Sequence, residues 1–183
     1  MFTASKKKKE NIAEYLLYMW QMEDLIRANN LEMENIEENI ISRYSGYNEE
    51  QLKSLRNWYE SLIDMMKREG VADSGHLQLN KNIILQLNDL HKRLLSDSKF
   101  ARYNTEFYQT LPYIIELRAK AKEKAKDEIE TCFDALYGIL MLKLSKKEIS
   151  EETLAASRQI SKFLSLLSYY YKLDYNNELE TVN

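Results

Sequence analysis

Apolar residues recur along this chain at intervals of three and four, the spacing that gathers side chains onto one face of an α-helix. The strongest instance is residues 11–28, NIAEYLLYMWQMEDLIRA. Ile12, Tyr15, Leu16, Met19, Met22 and Ile26 form one stripe, while Leu17, Tyr18, Trp20 and Leu25 fill much of the remaining circumference. A helix apolar almost all round is expected in the interior. Residues 128–144, EIETCFDALYGILMLKL, read the same way, with Thr131, Ala135 and Gly138 as a stripe of small residues. These two segments are the expected central helices.

The other segments follow in order. Lys6 to Lys9 oppose the dipole of the helix they precede, so that turn is expected to fray. A break at Asn29 and Asn30 leads into a shorter helix over residues 31–44 on Leu31, Ile36, Ile40 and Ile41. Asn48 with Gln51 is a capping-box signature, opening a helix over 49–69 that Gly70 closes. Its apolar stripe is Leu52, Leu55, Trp58, Tyr59, Leu62, Met65 and Met66, with Glu60 and Asp64 on the solvated side. A fourth helix covers 77–96 on Leu79, Ile83, Leu87, Leu90 and Leu94, flanked by Asn80 and His91. Asn104 caps a fifth on Phe107, Leu111, Ile114 and Ile115, which Pro112 should kink or interrupt. A break or bend is expected near Lys124. The last helix starts at Ser150, packs through Ala156, Ile160, Phe163, Leu164, Leu167, Tyr170 and Tyr171, and ends near Leu173.

Composition sharpens this picture. Gly 4 and Pro 1 are too few for strands joined by tight turns, so the fold class is all-α. The expected architecture is a single-domain bundle of six or seven helices over residues 1–173, with a flexible polar tail over 174–183. A chain of 183 residues can bury a core without metal or disulfide support. Glu10, Glu14 and Gln21 interrupt the first apolar run, which is also too short to span a bilayer, so neither a signal peptide nor a membrane partner is expected. Cys132, alone, forms no internal disulfide and reads as a small buried hydrophobe, in keeping with a cytoplasmic location. The net charge of -3 argues against nucleic acid as a partner; binding through Lys6 to Lys9 and the lysines of 120–126 would be steeply salt-dependent.

Candidate chemistry is sparse. A di-iron bundle needs Glu-x-x-His pairs, and the nearest approach is Asp73-x-x-His76 in a loop. Glu34, Glu37, Glu38, Glu60 and Asp64 invite comparison with helical pyrophosphohydrolases that hold Mg²⁺ on paired carboxylates, but the Glu60 and Asp64 spacing departs from Glu-x-x-Asp and faces solvent. There is no glycine-rich phosphate loop and no nucleophile motif. No catalytic residue, metal or cofactor is therefore assigned.

What remains is Glu23, Arg27, His91, Arg118 and Asp134, each on or beside a packed face. Buried charges normally pair. These five are read either as core ion pairs or as the wall of a pocket between the first, fourth, fifth and sixth helices that binds a small polar ligand. Tyrosine, with 13 residues against 5 Phe and 2 Trp, suits half-buried positions and interfaces. The run Tyr169 to Tyr171 covers three directions of one turn, so at least one ring should face outwards.

The stretches ENIAEYLLYMWQMEDLIRAN, WYESLIDMM, GHLQLNKN, LPYIIELRAKA and EIETCFDALYGILMLKL resemble an uncharacterised family of bacterial proteins catalogued only as a domain of unknown function. The resemblance covers nearly the whole chain and implies a stand-alone cytoplasmic protein, with no activity, cofactor or catalytic residue attached. The expected function is a non-catalytic interaction or scaffold protein, with a protein partner or a second copy of itself. The alternative is a small-ligand or nucleotide-binding bundle, pyrophosphohydrolase-like and Mg-dependent, that uses the inward charges.

Overall fold

The computed structural model describes residues 2–120 and 126–181. Among these, all regular structure is helical: α1 (Phe2–Glu10), α2 (Ile12–Ala28), α3 (Met33–Asn39), α4 (Glu49–Arg68), α5 (Gln78–Ser96), α6 (Ala101–Lys120), α7 (Glu128–Leu144) and α8 (Glu151–Tyr175), with three short 3-10 turns. The described residues thus hold eight α-helices rather than six or seven. The extra one is the lysine-rich start, which does not fray. Lys6 to Lys9 fall in its C-terminal half, where the dipole favours cations rather than opposing them; Lys7 pairs with Glu14 at 2.7 Å, Lys8 lies 5.6 Å over the Tyr15 ring, and Ala4 is buried. Asn11 ends it and caps α2, its Oδ1 accepting the Ala13 N–H at 3.0 Å.

The chain divides into two compact units: residues up to Lys8 with Glu14–Asn82, and Lys9–Ala13 with Ile83–Asn183. In the first, Leu16, Met19, Trp20, Met22 and Ile26 of α2, Ile36 of α3, and Leu55, Tyr59, Leu62 and Met66 of α4 are buried. Tyr59 donates its hydroxyl to the Met22 sulfur at 3.5 Å. The predicted second helix is shorter than expected, because α3 stops at Asn39 and a 3-10 turn, Ile41–Arg43, follows. Asn30 and Leu31 turn the chain with φ of 58° and 56°. Asn35 and Asn39 both donate back to Asn29, which fixes that corner.

The capping box forms as the sequence predicts: Asn48 accepts from Gln51 N–H while the Gln51 side chain accepts from Asn48 N–H. At the other end Gly70 adopts φ 68°. Gly70 N–H bonds to Lys67 O and Val71 N–H to Met66 O, the paired bonds of a Schellman motif with Val71 buried behind it.

In the second unit, Ile83, Leu87, Leu90 and Leu94 of α5, Tyr103, Phe107 and Ile114 of α6, Ile129, Cys132, Phe133 and Ile139 of α7, and Ile160, Phe163, Leu164, Leu167 and Tyr170 of α8 are buried. α6 runs unbroken through Pro112. Pro112 is exposed, so the carbonyl it releases one turn back, on exposed Tyr108, faces water rather than apolar side chains. Ile115, expected on the packed face, is 58% exposed. The break expected near Lys124 falls outside the described residues. α8 continues to Tyr175, two residues past its expected end, and Leu179 beyond it is buried. No helix among the described residues is long and apolar enough to cross a membrane.

Candidate functional site

α5 begins without a capping side chain of its own, since the residue before Gln78 is Leu77. Its first N–H groups need acceptors, and two carboxylates supply them. Glu23 Oε1, one turn from the end of α2's apolar stripe, accepts the Leu77 N–H at 2.9 Å, and Glu69 Oε2 accepts the Gln78 N–H at 2.6 Å. Negative groups are favoured at that end of a helix. Glu23 is fully buried and takes two more bonds: Asn80 Nδ2 donates to Oε1 at 2.8 Å, and His76 Nδ1 lies 2.6 Å from Oε2. The His76 ring stacks on Trp20 with centroids 4.0 Å apart and planes 13° from parallel.

Arg27, one turn further along α2, holds the loop that carries His76. It donates to Asp24 at 2.7 Å, to Val71 O at 3.1 Å and to Gly75 O at 2.5 Å. These are carbonyls that the turn through Gly70 and Gly75 leaves outside any helix. Glu23 and Arg27, predicted as partners of other charged side chains, thus serve a helix start and a loop within the first unit.

His91, Arg118 and Asp134 belong to the second unit. His91 is buried against Phe107 and Phe163, with Nδ1 2.7 Å from the Tyr103 hydroxyl. Burial pushes it down to about 4, against the opposing pull of Glu128 and Asp127. Arg118 donates to Glu128 at 2.9 Å, to Thr131 at 3.4 Å and to the Lys126 carbonyl. Burial alone would raise the Glu128 carboxyl, but its own backbone N–H and Arg118 outweigh it and hold the group below the ordinary value. Asp134 takes the Lys126 ammonium at 2.9 Å. Arg118 and Asp134 therefore meet indirectly, through Lys126 at the start of α7. Each of the five partners with residues outside the set.

Glu60 and Asp64 are exposed on α4, as the sequence suggests. Among the described residues no group of three or more His, Cys, Asp or Glu side chains is placed to hold a metal ion. Cys132 is buried, and burial pushes its thiol up to about 12, which leaves little thiolate for nucleophilic chemistry. His76 and Asn80 were missed as partners of Glu23. The available signal was a buried acid in one segment and an uncapped helix start in another.

On the surface of the second unit, α6 presents Tyr108 at 64% exposure and Ile115 at 58%. They stand seven positions apart, two turns along one face, with Leu111 and Pro112 between. Tyr169 is the outward ring of its run.

Residues 1–178 match a family described as Domain of unknown function (DUF4924). No curated protein and no solved structure matches the chain.

Proposed function

We propose, for a chain that belongs to the DUF4924 family, a non-catalytic role: a helical interaction protein of the bacterial cytoplasm that self-associates through α6. The observation carrying this reading is the stripe of exposed Tyr108, Pro112 and Ile115 with half-buried Leu111 among them. An isoleucine left mostly in water forgoes roughly 1.5–3 kcal/mol that burial would give, and a rigid helix face of aromatic and aliphatic residues is what protein interfaces bury. The inward charges favour the same reading from the other side. Arg27, Arg118 and Asp134 are bonded to carbonyls, carboxylates and an ammonium of their own unit, bonds a polar substrate would have to replace.

The test is a light-scattering mass on the native chain and on Tyr108→Glu with Ile115→Glu. A native dimer that the double variant converts to a monomer, with helix content unchanged, supports the role. A native monomer across the concentration range counts against it.

A further inference from the structure

We propose that His76 and Asn80 receive the ammonium group of a small primary amine, with the Glu23 carboxylate as its buried counter-charge. The hydrogen-bond chemistry around Glu23 leaves two acceptors open. Asn80 is fully buried, and the atom 2.8 Å from Glu23 Oε1 must be its amide nitrogen, because a carboxylate only accepts. That orientation fixes Oδ1 as a buried acceptor, and it has no hydrogen-bond partner. His76 repeats the logic on the other carboxylate oxygen. Nδ1, 2.6 Å from Oε2, carries the hydrogen, so in the neutral ring Nε2 bears the lone pair. The side chain keeps 26% of its exposure, and Nε2 is the ring nitrogen that Glu23 does not occupy.

Two acceptors anchored on one carboxylate call for a donor, and the charges select which kind. Glu69 and Asp73 lie in the loop and Glu23 and Asp24 reach it from α2, while the guanidinium of Arg27 is already committed to Asp24, Val71 and Gly75. An anion is repelled and a neutral alcohol gains no charge pairing. An ammonium offers three N–H donors and the missing positive charge.

The experiment uses the full chain carrying Trp58→Phe, which leaves Trp20 as the remaining tryptophan. Its fluorescence and the His76 ring resonances are followed during titration with methylammonium chloride at about pH 8, where the amine keeps its proton, at constant ionic strength. A saturable response to methylammonium, absent with sodium, tetramethylammonium and acetate, is expected. His76→Phe, which keeps a ring to stack on Trp20, should weaken binding about tenfold, the effect of one hydrogen bond to a charged group. An equal response to tetramethylammonium would show that charge alone suffices and overturns the proposal. So does a response to acetate, undiminished binding in His76→Phe, or no saturable response, which would leave a water as the donor to Asn80.

Discussion

Acidification should destabilise this protein through His91. The ring is buried among Phe107, Phe163 and Tyr103, and its pKa falls from 6.5 to about 4. The folded value is depressed, so above pH 6.5 both states hold a neutral ring and the group costs nothing. Between pH 6.5 and about 4 the unfolded chain binds a proton that the folded chain refuses. Stability therefore falls with decreasing pH, by up to about 1.4 kcal/mol per unit and about 3 kcal/mol in all. Below that window both states are protonated and the contribution is flat. The assay is urea unfolding at a series of pH values, on the native chain and on His91→Gln, whose side-chain oxygen can accept the Tyr103 hydroxyl and does not titrate. Both tryptophans lie in the first unit, so helix content by circular dichroism is the appropriate signal. The carboxylates are present in both proteins, so the difference between the curves isolates His91 together with the pull it exerts on Glu128. Parallel pH profiles for the two proteins would refute the reasoning.

Other outcomes follow from the same geometry. Arg27→Met keeps the apolar stem but removes the bonds to Val71 and Gly75; a loss of about 2–3 kcal/mol and faster amide exchange over residues 70–77 are expected, and unchanged protection there would contradict the clasp. Gly70→Ala should cost about 1 kcal/mol, the strain of a side chain at φ 68°, because nothing lies within 4 Å of the added Cβ; thermal unfolding measures it, and a neutral substitution would mean the turn relaxes. Cys132 should resist a thiol reagent in the folded chain at about pH 8 and react once unfolded, so rapid reaction of the native protein would show that its burial is not maintained.

Helix positions were legible wherever the sequence carried both an apolar period and a local end signal. α4 has both: its stripe is buried at Leu55, Tyr59, Leu62 and Met66, and Asn48, Gln51 and Gly70 form the ends they announce. α1 was not legible, since its stabilisation comes from Glu14 and Tyr15 across the break at Asn11 rather than from its own sequence. For a related reason Pro112 does not interrupt α6. A proline costs a helix most where the freed carbonyl is buried, and exposure is a tertiary property that periodicity near the helix edge does not give. Ile115 sits on that same edge, where a wheel cannot separate a packed residue from one held out for a partner.

The candidate site shows a different limit. An acid inside the α2 stripe implied a compensating partner, and the composition offered arginines and histidines as the obvious ones. The solution adopted by the chain uses no strong cation of that set. A helix start is itself a partial positive charge with unsatisfied N–H groups, and α5, preceded by Leu77, lacks the side chain that would satisfy them locally. Glu23 and the start of α5 are therefore two deficits that cancel: the carboxylate gains donors and the helix gains a cap. Such a pairing leaves no spacing rule in the sequence, because it joins a residue type in one segment to a missing residue type in another. It also leaves a remainder. The cap consumes the Leu77 N–H and the Asn80 amide nitrogen, but it gives Asn80 Oδ1 nothing in return, and it turns His76 so that its second nitrogen is the one left over. Those unspent acceptors distinguish this helix start from the Asn48 and Ser150 starts of α4 and α8, where the capping side chain closes onto its own backbone and leaves no comparable invitation to a ligand.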